Sequence, residues 1–138
     1  MTKKLFSSLA LIVCLSACAS FCLSPKSPFV GIFNGRWESA GAAGGNLRFT
    51  ITEAEDKKLS AVSSFTFNDT DVHAKTESLV IDGDKFTIIL DWEIQSTSGT
   101  TKLTGTLVGD QIKGTYINNP SEEPATGTWS VTRVITKP

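Results

Sequence analysis

The sequence predicts an all-β domain, a small antiparallel up-and-down barrel of about eight strands. Three observations carry this. Alternation of apolar and polar residues at period 2 appears repeatedly between residues 30 and 138, and no stretch there repeats apolar residues at helical spacing over three turns. Proline is absent between Phe29 and Asn119. Strands with partners on both sides require this, because proline cannot donate to the ladder. Two Gly-Asp pairs, Gly83-Asp84 and Gly109-Asp110, lie between apolar runs that match in register as hairpins. The 138 residues supply one such domain and not two. A two-layer sandwich is the alternative, but no Greek-key crossover is visible in the strand pattern to favour it.

The first element is not a strand. Lys3 and Lys4 form a short basic start, Leu5 to Leu15 is an uncharged and mostly apolar run, and small residues follow it. This is the layout of a secretory signal peptide. The apolar run is about half of what a bilayer-spanning helix needs. Its last residues, Leu15-Ser16-Ala17-Cys18, resemble a bacterial lipobox. That resemblance implies cleavage before Cys18 and lipid attachment to its sulfur, so residues 1–17 are a lipoprotein signal and Cys18 is the first mature residue. Ordinary cleavage after Ala19 and an uncleaved anchor are the alternatives. Cys14 follows the bulky Val13, where a lipobox has a small residue, and leaves with the signal. Stable anchoring takes more than one acyl chain. Ala19, in place of Asp, implies by the same resemblance an outer-membrane lipoprotein facing the periplasm, or one at the cell surface where there is a single membrane.

Residues 18–30 are expected to be a tether. They hold Pro25 and Pro28, no periodic pattern, and Cys22, which has no mature partner for an intramolecular disulfide except the lipidated Cys18. Loss of Lys3 and Lys4 leaves 11 basic against 14 acidic residues, a formal charge of −3. The mildly acidic balance excludes nucleic acid as a partner.

The domain, residues 31–138, follows with strands expected near 34–40, 46–54, 58–67, 72–82, 85–95, 101–108, 111–118 and 126–135. Leu47, Phe49 and Ile51 alternate with Arg48, Thr50 and Thr52, and Phe86, Ile88, Leu90, Trp92 and Ile94 form the longest apolar face. A weaker set runs through Leu59, Ala61, Ser63, Phe65 and Phe67. About the Gly109-Asp110 turn, Val108 should face Gln111, Gly105 face Gly114 and Leu103 face Tyr116, with polar pairs on the other side. About Gly83-Asp84, Asp82 should face Lys85, Ile81 face Phe86 and Leu79 face Ile88.

Gly35-Arg36-Trp37, Gly105-Thr106-Leu107, Gly114-Thr115-Tyr116 and Gly127-Thr128-Trp129 share one spacing, which places each glycine and large residue on the same strand face. Glycine there admits a neighbouring ring or backbone, chiefly a packing device. Gly35-x-Trp37 with Arg133 near the end of the last strand resembles the calycins, the lipocalin and fatty-acid-binding-protein superfamily. The resemblance implies a barrel closed at one end by Gly35, Trp37 and Arg133, with the Arg lying over that Trp. The Thr-Asp-Tyr motif of lipocalins is missing from its expected place.

Catalytic and metal chemistry find little material. His73 is the only imidazole, and no nucleophile elbow, phosphate loop or EF-hand is present. Asp91 and Glu93 fall on the face opposite Leu90 and Trp92 and read as solvated exterior. Asp82 and Asp84 suit turn chemistry, and Glu122-Glu123 a solvated loop tip. No enzyme activity, cofactor or metal is expected, and no protein partner is indicated. Two functions remain. The barrel binds a small apolar or amphipathic ligand against Phe49, Phe65, Phe86, Trp92 and Tyr116. Alternatively it is solid, and serves as a non-catalytic structural or interaction module of the envelope. Interior volume decides between them, and at Gly105 and Gly114 either Trp37, Trp129 or Trp92 fills the gap or the barrel is hollow there.

Overall fold

A computed structural model describes residues 26–41, 43–118 and 125–135. The positions expected to carry the signal, the lipidation site Cys18, both other cysteines and Glu122-Glu123 lie outside these residues. Eight strands run in chain order: β1 (Gly31–Ser39), β2 (Gly44–Glu53), β3 (Leu59–Phe67), β4 (Thr70–Asp82), β5 (Lys85–Ile94), β6 (Thr97–Val108), β7 (Gln111–Asn118) and β8 (Ala125–Arg133). Each pairs antiparallel with the next, and β8 pairs with β1, so the sheet closes as an up-and-down barrel and the sandwich alternative is set aside. No described residue is helical.

Both anticipated hairpins have the expected register. Val108 pairs with Gln111, Gly105 with Gly114 and Leu103 with Tyr116. Asp82 pairs with Lys85 and Leu79 with Ile88. Gly83 and Gly109 take φ of 65° and 64° while the Asp after each does not have positive φ. A type II′ turn requires this combination. The β3–β4 turn uses two left-handed residues, Asn68 at φ 51° and Asp69 at φ 63°, the type I′ pattern that also matches strand twist. It begins β4 two residues earlier than expected.

The largest difference is β6, which starts at Thr97 and not near residue 101. Gln95, at φ 56°, turns the chain at once, and Trp92 and Ile94 then pair with Gly99 and Thr97. The segment Ser96-Thr97-Ser98-Gly99-Thr100 has no apolar alternation, so backbone pairing with β5 makes it a strand where side-chain pattern gives no signal. A bulge at Glu77, between Thr76 and Ser78, shifts the β4 register. It keeps Val72 and Ala74 on one side of the bulge, and Leu79 and Ile81 on the other, all facing inward despite the change of parity.

Inward residues fill the barrel unevenly. Toward the end with the β4–β5 and β6–β7 turns, Phe33, Phe49, Ile51, Phe86, Ile88, Ile112 and Val131 are fully buried. Phe49, Phe86 and Trp129 form a ring cluster with centroids 5.5–5.8 Å apart. Trp129 also answers the open question at the paired glycines. A Cβ on Gly105 would lie 2.7 Å from the Trp129 ring, so Trp129 occupies that gap.

Residues 26–30 are not a free spacer. Phe29 is completely buried and stacks on Phe86 at 5.8 Å, plugging this end of the barrel. The Ser27 hydroxyl accepts from the Phe29 amide and the Ser27 carbonyl from the Val30 amide, which turns the chain inward. The tether assignment therefore stops short of this segment. A phenylalanine beside an open barrel end has apolar surface to bury, and burying it outweighs leaving the segment extended.

Candidate functional site

The opposite end of the barrel is hollow. Here the inward residues are too few or too small to meet across the barrel, leaving a cup of about 620 Å³. Its floor is Leu47, Leu90 and Leu103, all buried. Its wall is aromatic. Trp92 meets Phe65 edge-to-face at 6.4 Å, Phe65 meets Trp37 at 6.5 Å, and Trp37 meets Tyr116 at 6.2 Å. Phe67 stacks on Trp37 at 6.2 Å and is partly exposed at the rim. Edge-to-face pairs of this kind add to simple area burial.

Each element positions its ring for a local reason. Trp37 and Tyr116 are the large partners in the Gly-x-aromatic spacing, and the glycines act by close approach. A Cβ on Gly127 would lie 2.6 Å from the Tyr116 ring, and one on Gly99 would lie 2.5 Å from the Trp92 ring. Hydrogen bonds then fix the indoles. Trp37 Nε1 donates to the Thr66 carbonyl at 3.0 Å. Trp92 Nε1 donates to Thr101 Oγ1 at 2.9 Å, and Thr101 donates in turn to Asn118 Oδ1 at 2.8 Å. Burial pushes the Tyr116 phenol above its ordinary pKa.

The electrostatics of the cup are simple. None of the described residues lining it is Asp, Glu, Lys, Arg or His, and its polar groups are hydroxyls and amides near the rim. Among the described residues no group of three potential ligands could hold a metal ion. His73 is exposed on the outside of β4. Asp91 and Glu93 also lie outside, where Asp91 accepts from Thr100 at 2.9 Å and adjoins Glu77.

Of the five expected lining residues, Phe65, Trp92 and Tyr116 line the cup. Phe49 and Phe86 do not. Both are wholly buried in the ring cluster of the filled end, where they support the floor from beneath. The expected Arg-over-Trp closure is also corrected. Arg133 pairs in register with Phe33 and lies 4.7 Å over its ring, while Trp37 pairs with Trp129 further along β1, toward the cup. Four residues of extended strand separate Phe33 from Trp37, a distance of about 13 Å that the Arg133 side chain does not span. Arg133 instead fastens the plugged end. Its guanidinium donates to the carbonyls of Val30 and Pro28, and its Nε to Asp110 at 2.9 Å. Gly35 does allow a close approach, to the β8 backbone: a Cβ there would lie 1.8 Å from the Ser130 carbonyl oxygen.

Sequence reasoning missed Thr101, Asn118 and Phe67 as cup residues. The signal for Asn118 was available, since it lies two places beyond Tyr116 on the same strand face. The solid-barrel alternative describes only the end built on Phe29, Phe49, Phe86 and Trp129. Comparison with protein-family models, with curated proteins and with solved structures finds no match.

Proposed function

We propose that this protein is an exported, lipid-anchored lipoprotein of the cell envelope, of lipocalin-like type, whose barrel binds a small apolar or amphipathic molecule without transforming it. The observation that carries the binding reading is the cup. A volume of about 620 Å³ with a leucine floor, an aromatic wall and a few polar groups at the rim matches the size and lining of sites for drug-sized ligands, about 300–1,000 Å³. A barrel selected only as a solid scaffold has no use for four partly exposed rings around an unfilled end, because filling that end would add stability.

The anchor reading rests on the resemblance of Leu15-Ser16-Ala17-Cys18 to a lipobox. Two measurements test the proposal. Tryptophan fluorescence during titration with a panel of neutral and anionic amphiphiles should change saturably, because Trp37 and Trp92 form the cup wall. A panel in which no compound perturbs the signal or raises the melting temperature rejects ligand binding. Cys18→Ala should release the protein from the membrane fraction. Retention there, with the leader still removed, rejects the lipid anchor.

A further inference from the structure

The chemistry of the cup narrows what it holds, an inference that rests on the binding function proposed above. We propose that the ligand is an uncharged, ring-containing amphiphile with a hydrogen-bond acceptor, received by Asn118 and Tyr116, and not a fatty-acid-like anion.

Charge comes first. A carboxylate carried into the cup would lose water and gain no counter-ion, since no described lining residue is cationic. Arg133, the one arginine the fold directs toward an end of the barrel interior, is committed at the plugged end to Asp110, Val30 and Pro28. Among the described residues no carboxylate lines the cup either, so these walls offer no counter-ion to an ammonium compound.

The polar groups then give the direction of the hydrogen bond. Both indole N–H groups of the cup are already used, Trp37 on the Thr66 carbonyl and Trp92 on Thr101. The Thr101 hydroxyl passes its own proton to Asn118 Oδ1, so the acceptor atom of that amide is occupied. Its two N–H donors have no partner among the described residues, and neither does the Tyr116 hydroxyl. Asn118 and Tyr116 lie two residues apart on β7, on its inward face. The relay from Trp92 thus orients a donor pair, Asn118 N–H and Tyr116 O–H, that complements a ketone, ester or ether oxygen. The unbroken series Trp92, Phe65, Trp37, Tyr116 supplies edges and faces for a ring beside that oxygen.

The test uses four probes and the full-length chain, read by energy transfer from tryptophan so that dye free in lipid is not counted. The probes are 6-propionyl-2-(dimethylamino)naphthalene, a neutral ketone; N-phenyl-1-naphthylamine, neutral without a carbonyl; 8-anilino-1-naphthalenesulfonate, nearly the same rings with a sulfonate; and dodecanoate, read by displacement of the ketone dye. The neutral dyes should bind, with the anions weaker by on the order of ten-fold or more. Asn118→Ala and Tyr116→Phe should each weaken the ketone dye by about three- to ten-fold. N-phenyl-1-naphthylamine should be held as before, which shows the cup intact in the variant. Anions that bind as tightly as the neutral dyes overturn the charge assignment while leaving a binding cup in place. Ketone binding that neither substitution weakens overturns the assignment of the donors. Failure of all four probes rejects the binding function, and this inference with it. The comparison of neutral with anionic probes needs no variant, so it decides the charge assignment even if a substitution unfolds the chain.

Discussion

At the residue scale, Ser63 and Gly114 illustrate opposite kinds of constraint. Ser63 is 1% exposed among inward residues of β3, and its hydroxyl has no partner among the described residues. An unpaired buried hydroxyl costs more than an apolar group of similar size. Ser63→Ala should therefore stabilise the protein by about 1 kcal/mol, read as a rise in the denaturation midpoint. A clear loss would mean that the hydroxyl has a partner after all. Gly114 is held by contact rather than by conformation, for a Cβ there would lie 1.8 Å from the Thr104 carbonyl oxygen of the paired strand. Gly114→Ala should destabilise by about 1–3 kcal/mol as the strands are forced apart. Gly83 gives the contrast: a Cβ there meets nothing within 4 Å, and only its φ of 65° resists substitution.

The exterior pair Glu77 and Asp91 carries the pH dependence at this scale. The bulge places Glu77 beside Asp91. A hydrogen bond from its protonated carboxyl to Asp91, and repulsion from that carboxylate, hold Glu77 above the usual carboxylate range. Asp91, bonded by Glu77 and by Thr100, is held below it. A raised Glu contributes stability that is present below its unfolded-state pKa and is lost as pH rises through its folded-state pKa. Asp91 has the opposite sign: its contribution is present above its unfolded-state pKa and is lost as pH falls through its depressed value. Glu77→Gln should raise stability at neutral pH and remove that part of the loss on going from acid to neutral pH, measured as urea midpoints across the range. An unchanged profile would show that solvent screens the pair completely.

At the scale of elements, the lead-in before β1 governs the plugged end. Phe29→Ala would open a void against Phe86 and should cost about 3–5 kcal/mol. Equal stability of the variant in thermal unfolding would show the segment to be dispensable. Elements differ in how far the sequence announces them. The hairpins at Gly83-Asp84 and Gly109-Asp110 were legible to the residue, because turn chemistry and strand alternation agree there. The beginning of β6 was not, because Ser96 to Thr100 owe their strand to hydrogen bonds with β5, and such bonds leave no mark in side-chain pattern. Phe29 was misread for a related reason. A single aromatic in a proline-flanked segment has no period, and only the shape of the cavity it enters reveals its place. The same logic explains why three of the five expected lining residues face the cup and two lie in the filled end. Parity identifies Phe49, Phe86, Phe65 and Trp92 alike as inward, but height along the barrel decides which of them meet a plug and which a void.

At the scale of the whole molecule, closure of β8 on β1 gives every described strand two neighbours, but β3 and β4 pair with each other only over Ser63–Phe67 and Thr70–Ala74, so Leu59–Val62 and Lys75–Asp82 are bonded to a neighbour on one side alone. Stability is concentrated in the filled half, and the hollow half contributes less packing for the same length of sheet. Ligand in the cup should supply the difference. A neutral probe at a hundred times its Kd should stabilise the folded chain by about 2.7 kcal/mol, visible as a melting temperature that climbs with probe concentration. A melting temperature indifferent to probe at that excess would mean that the dye does not bind the folded chain in preference to the unfolded one.

Phe29 and Arg133 have one consequence for orientation. They bring the chain into the barrel at the plugged end, at the opposite pole from Trp37 and Tyr116. Eight residue steps separate Cys18 from Lys26, a span of at most about 29 Å. A lipid on Cys18 would therefore seat the protein with its plug toward the bilayer and its cup turned outward to the aqueous compartment, like a vessel standing on its base. Such a protein would collect its ligand from water, or from a carrier arriving through water, and not by drawing it directly out of the membrane that holds it.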